Sequence, residues 1–184
     1  MRYCLLWRIR ECRVAQGDDN LDPWRSRVTN RPIEQYLRSQ PFFSGLRPES
    51  IELLANCATE RQIDAGQILF RHGERASKFY LIRSGCIGIE IPAIAGPAIK
   101  VQSLGPNQVL GWSWLIPPYK WNFQASAELK SDLFEFDGER VLARCEEDAQ
   151  LGYEVLKRFA SLMSERLDAA RQRLMEQWNP PGFA

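Results

Sequence analysis

The sequence predicts an α+β fold that is mainly β: short N-terminal helices, an antiparallel sandwich or barrel, and one long C-terminal helix. Three observations carry this. Between residues 61 and 137, short β-like runs alternate with glycine punctuation ("RQIDAGQILFRHGE", "KFYLIRSGCIGIEI", "AIKVQSLGPNQVLGW", "FQASAELKSDLFEFD"). Several short strands joined by regular turns imply a closed or two-layered sheet. Two short helical patterns come first, and an apolar stripe at helical spacing closes the chain.

In chain order, residues 1–30 are expected to form a flexible leader. "MRYCLLWRIRECR" has a short apolar run, Cys4 to Trp7, interrupted at once by Arg8 and Arg10. That is too short for the apolar region of a secretory signal, and no run approaches a membrane span. "RPIEQYLRSQPFF" places Ile33, Tyr36 and Leu37 at helical spacing, with Pro41 as the stop. "RPESIELLANC" reads as a second helix, with Pro48 in the first turn, Glu49 at the positive end, and Ile51, Leu54 and Ala55 on one face. The sheet domain extends over 31–148. Within it Ile87, Ile89 and Ile91 alternate with smaller or polar residues, as in a half-buried strand. Gly73 and Gly85 sit at tight turns that favour positive φ.

The last helix, 149–178, carries Leu156, Phe159, Met163, Leu167, Ala170 and Leu174 on one stripe. Such a stripe is longer than a small β domain can cover, so its second half is expected to meet a partner helix in a parallel homodimer. Residues 179–184 form a tail.

The 184-residue chain has a formal net charge of +1. This gives no chain-wide drive toward nucleic acid. Five widely spaced cysteines and the missing export signal point to reduced thiols in the cytoplasm. With a single histidine, His72, no histidine triad or multi-histidine metal site can be built, and no phosphate-loop or dinucleotide fingerprint occurs. An enzyme is not expected, nor are a metal, a cofactor or a membrane partner.

One stretch stands out. "GWSWLIPPYKWNF", residues 111–123, holds three of the six tryptophans, Trp112, Trp114 and Trp121. Three readings are open: a ligand pocket, a partner surface, or core.

The stretches "PFFSGLRPESIELLA", "AGQILFRHGERASKFYLIRSGCIGI", "LGPNQVLGW" and "LFEFDGERVLARC" together resemble the cyclic nucleotide-binding domain family, over about residues 33–176. The resemblance implies a double-stranded β-helix (jelly-roll) acting as a sensor, with a long helix as its dimerisation and output element. It also implies a phosphate cassette: a glycine opening a short helix, a glutamate next to it for the ribose, an arginine about ten residues on for the phosphate, and small residues on the following strand.

Gly111 matches the opening glycine, and Ala125 and Ala127 match the closing strand. Between them the pattern fails. Trp112 stands at the glutamate position, and Trp121, or Lys120 with a different gap, at the arginine position. Pro117 and Pro118 also remove backbone donors. Losing a charged hydrogen bond in a buried site costs about 1.5–3 kcal/mol. Two such losses weaken binding roughly a hundredfold to many thousandfold. Neither cAMP nor cGMP is therefore expected to bind in the family's usual way.

The sequence-derived pocket set is Gly111, Trp112, Ser113, Trp114, Leu115, Lys120, Trp121, Asn122 and Phe123. These residues either hold another small ligand or fill the vacated space, leaving an adaptor with a protein partner. The third possibility is the sensor module of a transcription regulator without its DNA-binding domain. Direct DNA binding is not expected, because few residues follow Gln172.

Overall fold

The computed structural model describes residues 33–91 and 98–177, without the side chains of Arg173, Leu174, Glu176 and Gln177. The expected leader, the tail and the Leu174 side chain lie outside the described residues.

Helix α1 (Ile33–Arg38) is followed by a 3-10 turn at Pro41–Phe43 and by α2 (Pro48–Asn56). Pro48 occupies the first turn of α2, where its missing N–H costs nothing. Six strands follow: β1 (Ala58–Ile63), β2 (Ile68–Phe70), β3 (Lys78–Ile91), β4 (Ile99–Leu104), β5 (Val109–Leu110) and β6 (Gln124–Asp137). Two helices close the described chain, α3 (Gly138–Glu147) and α4 (Ala149–Gln177). Asp137 caps α3, its Oδ1 accepting from the Arg140 N–H at 3.0 Å. Asp148 does the same for α4, accepting from Gln150 and Leu151.

All strand pairing is antiparallel. The 14-residue strands β3 and β6 pair along most of their length and form the spine. β1 and β2 both lie on β6, while β4 and β5 both lie on β3. Register shifts between Ile82 and Ile87 let β3 bend, so the sheet rolls over itself as a jelly-roll. Gly85 sits in that bend at φ 88°; a Cβ there would lie 2.5 Å from the Lys130 carbonyl. Gly73 also has positive φ, at 82°, as the turn reading requires.

Because side chains alternate along a strand, β3 and β6 feed two cores. Phe79, Leu81, Phe134 and Phe136 face the helices and pack with Leu37, Phe43, Ile51, Leu54, Leu151, Val155 and Phe159. Tyr80, Ile82, Ile87, Ile89 and Leu133 face the roll interior with Phe70, Trp121 and Ala127. The predicted alternation over Ile87, Ile89 and Ile91 fails at its end. Ile87 and Ile89 are buried but Ile91 is exposed, where the strand runs out past the roll. The expectation of reduced cysteines holds at Cys57 and Cys145, which are free, and fails at Cys86, which is disulfide-bonded.

The apolar stripe of α4 also needs correction. Phe159 is 2% exposed and belongs to the helix-facing core, along with Leu151 and Val155. Leu156 and Leu167 are 51% and 70% exposed and face away. The outward stripe is Tyr153, Leu156, Ala160, Met163, Leu167 and Ala170, which alternates steps of three and four residues. Arg166 turns inward. It is part-buried, and its guanidinium donates to the Val109 carbonyl of β5. Burial lowers its pKa to about 10.

Candidate functional site

The 111–123 segment leaves β5 at Gly111 and re-enters the sheet at β6. Gly111 has φ 95°, and a Cβ on it would sit 2.8 Å from the Trp121 ring and 3.3 Å from the Lys78 carbonyl. Only glycine satisfies both the backbone and the packing here. The short helix implied by the family pattern is not formed. Residues 113–115 make only a turn, closed by Leu115 N–H donating to the Trp112 carbonyl at 3.1 Å. A row of helix N-terminal amides, the usual cradle for a phosphate, is therefore absent from this segment.

The three tryptophans do not converge. Trp114 is 2% exposed and points toward the helices. Its ring stacks on Phe79 (5.1 Å, 20°) and meets Phe159 of α4 edge-on (5.3 Å, 80°). It also lies against Gly138, where a Cβ would come within 2.8 Å of the indole. Trp121 is 3% exposed and points into the roll. It stacks on Phe70 at 3.7 Å and 11°, with Phe123 beside it. Trp112 is half-buried against the helix-facing core, and so is Leu115.

Lys120 and Asn122 are exposed. Lys120 bridges to Arg75 in the backbone, and its neighbours zip this stretch onto the 71–76 turn. Gly73 N–H donates to the Trp121 carbonyl (2.8 Å), Trp121 N–H to Glu74 (2.9 Å) and Ala76 N–H to Tyr119 (2.8 Å). Of the sequence-derived set, the structure brings Gly111, Trp121 and Phe123 together at the roll interior. Trp112, Trp114 and Leu115 go to the helix side.

Sequence reasoning missed the partners that make this split. Phe70 and Phe79 lie on strands with ordinary alternation, and nothing local marks them as tryptophan partners. Gly138 carried a signal, a glycine at a helix start, but its reason is a ring from elsewhere in the chain.

Polar groups near the roll side are already engaged. Glu135 accepts from both Lys78 and Arg61. Burial works against its carboxylate, yet those two hydrogen bonds and their charges hold its pKa below the ordinary value. Ser113 Oγ and Trp114 Nε1 are buried with no hydrogen-bond partner among the described residues.

Within this rolled sheet, flanked by helices and interrupted by the 111–123 segment at its β5–β6 connection, residues 60–148 match the family model described as the cyclic nucleotide-binding domain. The chain is similar to the cyclic AMP receptor protein of Thermus thermophilus, 25% identical over 107 residues, covering 58% of this chain and 50% of that protein. It is also similar to the acetyltransferase Pat of Mycolicibacterium smegmatis, 35% identical over 75 residues, covering 41% of this chain and 22% of that protein. Among solved structures, a cyclic nucleotide-binding domain from Methylobacillus flagellatus has the same fold, with TM-score 0.68 and 15% identity over 83% of this chain and 85% of that one. The chain spans about half or less of the length of the curated relatives it matches.

Proposed function

We propose that this chain is a non-enzymatic regulatory module, dimeric through α4, in which the family's nucleotide pocket is filled by the protein's own Trp121. The observation that carries this is the Trp121–Phe70 stack, 3.7 Å apart and almost fully buried, seated against Gly111. The family-pattern positions for ribose and phosphate hold tryptophans, and Lys120, the alternative match at the phosphate position, is exposed and lacks a forked donor set. The module reads neither cAMP nor cGMP in the usual way and acts through a protein partner. Calorimetric titration with cAMP is expected to show no binding in the micromolar range; a micromolar constant ends this reading.

Dimerisation rests on the outward α4 stripe, whose three–four alternation suits a two-stranded coiled coil. Leu167→Glu is expected to convert the dimer to monomer in sedimentation velocity without loss of helical circular dichroism. A wild-type monomer at micromolar concentration refutes it. A cytoplasmic location belongs to the same proposal; among the described residues, no helix is long and apolar enough to cross a membrane.

A second reading keeps the module a sensor whose Trp-lined pocket opens for an apolar or aromatic ligand. Its support is the pair of orphaned polar atoms, Ser113 Oγ and Trp114 Nε1, which another cassette conformation would satisfy. A fluorescence screen of cell metabolites separates the two. A saturable shift, abolished by Trp121→Ala, favours the sensor, and a co-purifying partner without a shift favours the filled pocket. A DNA-linked role, as the sensor part of a transcription regulator, is tested by genomic pull-down.

A further inference from the structure

Cys86 of β3 is fully buried, yet it packs in neither the helix-facing core nor the roll interior. Its Sγ lies 3.4 Å from a carboxylate oxygen of Glu128, which also accepts from Ser103 (2.9 Å) and pairs with Lys100 (2.7 Å) of β4. A Cβ on Gly88 would meet that carboxylate at 2.5 Å. Gly88 lies between the inward-facing Ile87 and Ile89, so Glu128 and the sulfur beside it are on the outer face of the sheet. Leu129, opposite Cys86 in the strand register, is exposed there.

Of the five cysteines, Cys57 and Cys145 are free, and Cys86 is disulfide-bonded. Its partner within the chain is therefore Cys4 or Cys12. Their neighbours differ. Cys4 stands among Tyr3, Leu5, Leu6 and Trp7, and Cys12 between Glu11 and Arg13. The complete burial of Cys86 beside an exposed leucine calls for apolar cover. Glu11 would instead bring a second carboxylate toward Glu128, which costs energy. Cys4 is the better match.

Reach is no obstacle. Tyr36 of α1 donates to Asn107 at 3.2 Å, in the turn that follows β4, and β4 pairs with β3 through Leu104 and Ile87. The start of α1 is thus close to this face. An extended chain covers about 3.3 Å per residue, so residues 5–32 span up to roughly 90 Å.

We propose that a disulfide from Cys86 to Cys4 straps the N-terminal segment over the outer face of the β3–β4 sheet, and that exchange with a small monothiol opens and closes the strap. In the cytoplasm, a disulfide that forms is usually a transient, redox-sensing one. The thiolate of one monothiol attacks the Cys4 sulfur, because the Cys86 sulfur is buried. A mixed disulfide forms on Cys4, and the Cys86 thiolate leaves and takes up a proton. The thiolate of a second monothiol attacks the sulfur of the first, expelling the Cys4 thiolate and releasing the oxidised dimer. Two monothiols are oxidised and one protein disulfide is reduced; the oxidised dimer drives the same steps backwards. The freed Cys86 S–H has its acceptor in Glu128. The strap works equally with a filled or an open roll.

The test equilibrates the purified full chain in mixtures of reduced and oxidised glutathione, caps free thiols with N-ethylmaleimide and digests with trypsin without reductant. Cleavage after Arg2, Arg8 and Arg10 separates Cys4 from Cys12. Oxidising mixtures are expected to give a linked pair of peptides, 3–8 with 84–100, from protein that runs as a monomer on a non-reducing gel; reducing mixtures should abolish it. Hydrogen exchange then reads the strap itself. Backbone amides of β4 and of β3 around Cys86 are expected to exchange at least several-fold faster in the reduced form. Cys4→Ser, with unchanged far-ultraviolet circular dichroism, should exchange at the fast rate in both mixtures. No link to Cys86, a link to Cys12 or to a second chain, or equal exchange in the two forms overturns the proposal.

Discussion

Trp114 and Trp121 are seven residues apart and equally buried, but they serve different cores. Trp114 lies between the sheet and α4, touching Phe79, Phe159 and the start of α3. Trp121 lies inside the roll, touching Phe70 and Gly111. The first joins layers that must stay together for the long helix to dock. The second fills part of the interior of the roll. Identical residue types in one segment thus have unlike duties, and the difference comes from which side of the sheet each ring enters.

The largest expected effect is on the helix side. Trp114→Ala removes a ring packed against two aromatic residues, and truncations of this kind cost about 3–5 kcal/mol. Chemical denaturation should show that loss, together with weaker helical signal from α4. Trp121→Ala is expected to cost about 3 kcal/mol, the low end of the same range, because half-buried Phe123 can move in. It should also leave an apolar hole. Added indole is expected to raise the unfolding midpoint of Trp121→Ala and not that of wild type, as ligands do when they bind only the folded state. If both variants lose the same stability and neither responds to indole, the distinction between the two tryptophans fails.

Gly111→Ala sharpens the comparison at lower cost. Its positive φ and the 2.8 Å approach of a Cβ to Trp121 predict a loss of about 1–3 kcal/mol. Combined with Trp121→Ala, the steric part should vanish and the backbone part remain, so the double-mutant cycle is non-additive.

The smallest effect is electrostatic. The folded-state pKa of Glu135 lies below its unfolded value, so its stabilisation is full above the ordinary carboxylate pKa, near 4.3, and is lost as pH falls through the depressed folded value. Glu135→Gln should lower stability by on the order of 1 kcal/mol at neutral pH, since both cations are partly solvated. The gap to wild type should close in acid. A gap independent of pH would remove Glu135 from this account.

Much of the fold was legible because it is written in local patterns. Pro48 in the first turn of α2, the positive φ of Gly73 and Gly85 and the long run of α4 all have short-range causes. The candidate site was legible as a place. Gly111 and the two alanines bracketed the cassette, and the tryptophans marked its departure. What the segment does with its rings was not legible. A tryptophan's destination depends on strand pairing with residues far away in sequence.

The α4 stripe shows the same limit. Phe159 and Ala160 are adjacent, and helical spacing alone admits either to an apolar stripe. The fold assigns Phe159 to the core, because Phe79 and Trp114 wait there at 5.4 and 5.3 Å. Ala160 is left on the outward face. Arg166 is a further case: a charged residue favours solvent, but in the fold its guanidinium donates to the Val109 carbonyl of β5.

By itself, then, the sequence determined the order of elements, the roll and the long helix, since these depend on periodicity and turn chemistry. Only the tertiary structure decided that Trp114 belongs to the helices and Trp121 to the roll, and that the cassette forms a turn in place of a helix. Those outcomes depend on which distant side chains and backbone atoms fill the same volume, and close packing, not local preference, settles that.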